Sequence, residues 1–151
     1  MSKTRIKSKS KPSKQRPVIV KQWDDVVYGV QHRMVVCKLE DFIAYIEREF
    51  GSILTINPKT AGETVTFHTA ENLVVNYWFK QGLDLKSLEG QALIVHEALH
   101  GVDHVMQAKE IPMCYETSEP RAYYLDTVFS AINHMLDHKS RVIRGKRRRH
   151  D

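Results

Sequence analysis

His96-Glu97-Ala98-Leu99-His100 is a complete H-E-x-x-H motif in a chain of 151 residues. On an α-helix, residues four apart lie one above the other, so His96 and His100 can direct two imidazole nitrogens at one point. A Zn²⁺ ion could occupy that point, and Glu97, one step round the helix, could reach a water on the metal without being a ligand. The motif is typical of a zinc hydrolase in which a metal-activated water attacks and a carboxylate takes its proton.

The flanking residues predict that this motif lies on a helix whose other side is apolar. Ser87 is a candidate cap for its N-terminus. The apolar surface continues after the first histidine, through Ala98, Leu99, Val102, Val105 and Met106. The alternative interpretation is an ordinary core helix that carries two hydrogen-bonded histidines.

A third metal ligand has to come from elsewhere in the chain. The long metzincin motif would need a histidine at position 106, which is Met106. Ser118 is a favourable N-cap and Pro120 suits a first turn, so a helix is predicted to start near Glu119. We therefore expect Glu119 to be the third ligand, with Glu116 in the preceding loop as the alternative. Glu119 could instead only complement the helix dipole.

Two other side chains near these motifs are candidates for a role in the site. Tyr123 could donate a hydrogen bond to a developing oxyanion, although it and Tyr124 could equally be core aromatic residues. His104 lies two helical turns after His96, and we expect it to neighbour the site rather than to bind the metal.

The two motif segments resemble those of a known family. HEALH, followed by E-P-R-A-Y-Y-L-D from Glu119, resembles the gluzincin arrangement of zinc metallopeptidases. It is most similar to the compact ImmA/IrrE-type peptidases and to small zincin-like proteins of tailed bacteriophages. The resemblance covers residues 26–138 in element order, and only the two motif segments are specific. It implies a zincin-like fold and a metallopeptidase activity.

Two positions depart from the family pattern. Gly101 follows the second histidine where the phage proteins often have alanine, and Tyr123 replaces an aspartate expected four residues after the glutamate ligand. Asp126 or Asp103 would then have to orient the histidines.

Length and composition indicate one globular domain, with 42% hydrophobic residues. The sequence shows no signal-peptide core and no apolar run long enough to span a bilayer. Cys37 and Cys114 are far apart and are read as reduced packing residues. We expect a location in a host cytoplasm, free or attached to a virion, with no membrane partner.

Charge is distributed unevenly along the chain. Residues 1–16 hold seven Lys or Arg and no acid, and residues 139–151 hold seven more against one aspartate. Residues 17–138 keep nine basic and 17 acidic residues, a net charge of −8. We therefore predict a disordered basic N-terminal arm (1–17), a metal-binding domain (18–138) and a basic C-terminal tail (139–151). Such arms could bind nucleic acid or an acidic protein surface, or could only add solubility.

Periodicity between the arms predicts a small α+β domain in which a metal helix and a C-terminal ligand helix pack on a short sheet. The predicted helices are Leu39–Phe50, the motif helix and residues 120–136, and the predicted strands lie at 18–20, within 26–36, at 63–69 and at 72–79. The last two could form a hairpin, and residues 72–79 could be an edge strand that aligns an extended peptide.

The leading hypothesis is a zinc-dependent, phage-encoded metallopeptidase that acts on a peptide or protein. His96, His100 and Glu119 would hold Zn²⁺, Glu97 would be the general base and Tyr123 an oxyanion donor. The alternative is a non-catalytic phage structural or assembly protein that keeps a zincin fold. In that case the basic arms would bind nucleic acid or neighbouring subunits.

Overall fold

A computed structural model describes residues 18–137, and the predicted arms and His138 lie outside this range. The described chain is α+β, with a four-stranded mixed sheet and three α-helices. In chain order the elements are β1 (Val20–Asp25), β2 (Val30–Cys37), α1 (Leu39–Phe50), β3 (Gly62–His68), β4 (Leu73–Lys80), α2 (Leu88–Ala108), a 3₁₀ turn (Tyr115–Thr117) and α3 (Ser118–Asp137). None of the helices within residues 18–137 is long and apolar enough to cross a membrane.

The strand order is β1-β2-β4-β3. β3 and β4 form the predicted antiparallel hairpin, β2 runs parallel to β4, and β1 pairs antiparallel with β2. β4 is therefore a central strand, and seven of its eight residues are buried. The prediction that residues 72–79 form a peptide-aligning edge strand is wrong, because both sides of β4 are already hydrogen-bonded within the sheet.

Helices cover both faces of the sheet and produce two separate cores. α1 covers one face, where Phe42 stacks on Trp78 with ring centroids 5.6 Å apart. α2 and α3 pack together on the other face over a larger core that includes Ile94, Val105 and Val128. The helix that carries the H-E-x-x-H motif thus packs against both the sheet and α3.

Most predicted helix boundaries match the structure. Gly51 ends α1 in the left-handed conformation with φ 66°, and the Ser87 side chain caps α2 by accepting from the Gly90 amide at 3.1 Å. Residues 18–36, interpreted from the sequence as one or two short strands, form two, but β1 extends over Val20–Asp25 rather than 18–20, and residues 26–29, which begin the second predicted run, are the turn between the strands. The Asp25 carboxylate stabilises this turn by accepting from the Val27 amide at 2.8 Å.

Ser118 does not cap α3, and this prediction is wrong. Its backbone is already helical (φ −63°, ψ −41°), and its hydroxyl donates to the Tyr115 carbonyl at 2.7 Å. The helix continues directly from the 3₁₀ turn, so the chain enters α3 through a tighter turn that begins after Cys114.

Candidate metal centre

His96 and His100 lie on the exposed side of α2, and their Nε2 atoms are 3.1 Å apart. The two rings are nearly perpendicular, with an interplanar angle of 88°. Two ligands at 2.0–2.1 Å from a tetrahedral zinc ion would be about 3.3 Å apart, so the pair fits two corners of such a site. In the alternative interpretation the two neutral imidazoles form an N–H···N hydrogen bond, which would give the same distance between the nitrogens.

Glu97 points away from the solvent that surrounds the histidine pair. It is only 4% exposed, because successive helical residues are about 100° apart and position 97 faces β3. Its Oε2 accepts a hydrogen bond from the Thr64 hydroxyl at 2.7 Å. Burial raises the pKa of the Glu97 carboxyl, while the Thr64 hydrogen bond and the two histidines act in the opposite direction. The Thr64 hydrogen bond therefore gives the carboxylate a defined position against β3.

His104 also faces β3, seven residues after Glu97 on the same side of α2. Its Nδ1 is 2.8 Å from the hydroxyl oxygen of Thr66. Burial, and next the neighbouring His100, lower the pKa of His104. Together with His68 and Gln107 these two residues line a shallow groove of about 380 Å³ between α2 and β3. His104 is thus held against the sheet by Thr66.

The third ligand is not assembled in the described structure. Within residues 18–137 there is no group of three or more His, Cys, Asp or Glu side chains placed to hold a metal ion. Glu119 is exposed in the first turn of α3, and Glu116 is exposed in the preceding 3₁₀ turn. Backbone and side-chain hydrogen bonds lower the pKa of the Glu116 carboxyl. Glu119 remains the predicted third ligand. The pairing of α2 with α3 sets its distance along the helix axis from the histidine pair.

Two hydrogen bonds define the antiparallel register of α2 and α3. Gln91 donates to Asn133 at 2.9 Å near one end, and the Arg121 Nε donates to Asp103 at 2.9 Å near the other. Counting along both helices from these pairs sets Glu119 level with Val105, five residues beyond His100, or about 7.5 Å along the axis. A metal site that includes Glu119 would have to bridge this offset.

The same register bears on the aspartates expected to orient the histidines. Asp103 is engaged by Arg121 in a partly buried ion pair whose shortest contact is 2.6 Å. Asp126 falls opposite Ala98, level with the space between His96 and His100. Asp103 is therefore committed to Arg121. Asp126 is the candidate that makes no salt bridge to Arg121 and lies level with the histidine pair.

The adjacent tyrosines have opposite environments. Tyr123 is 73% exposed, which rules out a core role for it and keeps its phenol available. Tyr124 is buried, and its hydroxyl lies 2.9 Å from the Nε2 of His32. The Nδ1 of His32 lies 3.0 Å from the Tyr77 hydroxyl. This buried arrangement was not anticipated from the sequence, because it joins β2, β4 and α3, which are far apart along the chain.

Burial lowers the pKa of His32 from 6.5 to about 4, with Asp25 acting weakly in the opposite direction. Its neutral ring has one donor and one acceptor nitrogen, and the two tyrosine hydroxyls match both. The ring also stacks on Trp23, with centroids 4.8 Å apart. Burial, and then the nearby Asp25, raise the pKa of Tyr124. His32 is thus fully satisfied inside the protein.

This buried arrangement explains the glycine that follows the motif. A Cβ atom at Gly101 would lie 2.2 Å from the Tyr77 hydroxyl oxygen. The absence of a side chain at Gly101 therefore allows the tyrosine that holds His32 to touch α2 directly, immediately after His100.

Comparisons of this chain with protein-family models, curated protein sequences and solved structures give no match.

Proposed function

We propose that this protein is a zinc-dependent hydrolase of peptide bonds. The observation that carries the proposal is the 3.1 Å separation of the His96 and His100 Nε2 atoms, with the Glu97 carboxylate of the same helix fixed by Thr64. An ordinary core helix has no need of exposed, converging imidazoles beside a buried carboxylate.

Each residue has a stated role in this proposal. His96 and His100 bind the metal, and Glu119 supplies the third ligand from α3. Zinc in such a site supplies an activated water nucleophile and polarises the substrate carbonyl. Glu97 accepts the proton of the nucleophile and passes it to the leaving amine. Tyr123, exposed on α3, donates a hydrogen bond to the developing oxyanion.

The test is hydrolysis of a quenched fluorescent casein by zinc-loaded protein. We expect Glu97→Gln to keep its zinc and to lose at least about 100-fold in kcat, since general-base catalysis contributes that much. Glu89→Gln is the matched control, because Glu89 is an exposed carboxylate in the first turn of the same helix. Equal activity in wild type and Glu97→Gln would contradict the enzymatic role.

The charge distribution favours a second candidate function. Fourteen Lys or Arg residues lie within residues 1–16 and 139–151, outside a segment whose net charge is −8. The alternative proposal is a phage assembly protein whose arms bind nucleic acid or neighbouring subunits without reading sequence. In either role we propose a host-cytoplasmic location, with attachment to the virion in the assembly role.

Salt dependence separates these two functions. If the arms bind nucleic acid, the affinity of the full chain for duplex DNA should fall steeply with salt concentration. Replacing the seven basic residues of positions 139–151 with glutamine should reduce that slope and leave zinc content and casein hydrolysis unchanged. A salt-independent affinity, or none, would contradict the nucleic-acid role.

A further inference from the structure

We propose that Thr64 is a positioning residue that holds the general base Glu97 beside the metal-binding histidines. The inference rests on the proposed function, since it concerns the orientation of the residue that would take the proton. It assigns a role in the site to β3, which contains none of the motif residues.

The Thr64 hydroxyl makes two contacts with one residue of α2. Its Oγ1 lies 2.7 Å from Glu97 Oε2 and 3.0 Å from the Glu97 carbonyl oxygen. A hydroxyl has one hydrogen, and the shorter contact to a charged acceptor is the stronger of the two. Thr64 is 6% exposed, so water does not compete effectively for this hydrogen.

The surroundings of Thr64 make its hold on Glu97 rigid. The β-branched side chain of threonine has few rotamers. Its strand, β3, is also hydrogen-bonded along its whole length to the central strand β4. Gly62 lies on the same face of β3, where a Cβ would come 3.2 Å from the Glu97 Cγ. The strand thus leaves space for the stem of the glutamate and fixes one carboxylate oxygen.

Thr66 provides a matched control two residues along the same face of β3. Its hydroxyl contacts His104 rather than Glu97, at 2.8 Å. Thr66→Val therefore removes an equivalent hydroxyl from the same strand, and from a contact with the same helix, without touching the general base.

The first measurement is steady-state hydrolysis of quenched fluorescent casein by zinc-loaded variants of the full chain. We expect Thr64→Val to lower kcat about 10-fold, with KM and zinc content close to wild type, as for other residues that orient a catalytic group. Thr64→Ser should restore most of the rate because it restores the hydroxyl, and Thr66→Val should keep the wild-type rate. Wild-type kcat in Thr64→Val, or equal losses in Thr64→Val and Thr66→Val, would overturn the inference.

The second measurement needs no activity and is made on metal-free protein. If Thr64 bonds to Glu97, the melting-temperature shifts of Thr64→Val and Glu97→Ala should be non-additive in the double variant, because either change removes one partner of the bond, while Thr66→Val and Glu97→Ala should add. Additive shifts for Thr64→Val and Glu97→Ala would overturn the contact itself. A non-additive result together with an inactive zinc-loaded wild type would instead overturn the proposed function and leave the contact supported.

Discussion

His32 and the pair His96–His100 show the same side chain in two opposite environments. His32 is 0% exposed, and each of its ring nitrogens lies within 3.0 Å of a tyrosine hydroxyl. His96 and His100 are exposed, and each directs its Nε2 at the other. Both ring nitrogens of His32 are matched by tyrosine hydroxyls within the fold, whereas the Nε2 atoms of the pair meet only each other at the surface.

This difference separates a structural histidine from a candidate ligand. A ligand must keep an uncommitted nitrogen aimed at a shared position, and it needs access for the metal. A structural histidine has both nitrogens matched by protein groups, so it stabilises the fold and offers nothing to an ion. Four experiments test this distinction, from the largest expected change in zinc affinity or stability to the smallest.

Removing either member of the exposed pair should have the largest effect. We expect protein purified without chelator to carry close to one zinc per chain, and His96→Ala or His100→Ala to reduce zinc affinity at least about 1,000-fold because one of three protein ligands is lost. Competition with a chromophoric chelator measures this affinity. Zinc should also raise the melting temperature of wild type alone. If zinc added to metal-free wild type left the melting temperature unchanged, the proposed metal site would be contradicted.

His32→Leu should affect stability and leave zinc binding unchanged. The substitution leaves the buried Tyr77 hydroxyl without its partner, whereas the Tyr124 hydroxyl still has the Asp25 carboxylate beside it, so we expect a cost of about 3 kcal/mol for one unsatisfied buried group. Urea denaturation of metal-free protein measures this change. His68→Leu is the control, because His68 is exposed and its loss should change the unfolding free energy by less than about 0.5 kcal/mol. If His32→Leu lost zinc binding but kept wild-type stability, the assignment of His32 as a structural histidine would be contradicted.

The glutamates before and at the start of α3 should differ in their effect on zinc. Glu119→Gln is expected to weaken zinc binding about 100-fold as the loss of a ligand, and Glu116→Gln to leave it unchanged. The same chelator competition gives both values. The reverse result would move the ligand into the 3₁₀ turn. No effect from either, with a loss in Asp126→Asn, would assign the ligand to the carboxylate that is level with the pair.

The unfolding free energy should depend on pH through the protonation of His32. This is the smallest of the four expected effects. Its pKa is about 4 in the folded chain and 6.5 when unperturbed, so the unfolded state binds the proton more readily. The stabilisation is therefore complete above pH 6.5 and is lost as pH falls toward 4. Metal-free wild type should lose about 2 kcal/mol of unfolding free energy between pH 7 and 4.5 that His32→Leu does not lose. Parallel pH profiles for the two proteins would contradict the burial argument.

Several local features could be predicted from the sequence because their causes are local. The Ser87 cap, the Gly51 terminus of α1 and the β3–β4 hairpin depend on residues close together in the chain. The approach of His96 to His100 has the same origin, since a helix brings residues four apart together wherever it lies. The incorrect Ser118 cap shows the limit of this reasoning, because the 3₁₀ turn before it already supplies a helical backbone.

The tertiary structure decided the features that join distant segments. The parallel pairing of β2 with β4 placed β4 in the centre of the sheet and left β3 at its edge. That placement brought Thr64 to Glu97 and Tyr77 to His32, and the pairing of α2 with α3 set where Glu119 lies. A helical period determines which residues of one element share a face. It carries no information about which element will cover that face, because that depends on how all the apolar surfaces of the chain are buried together.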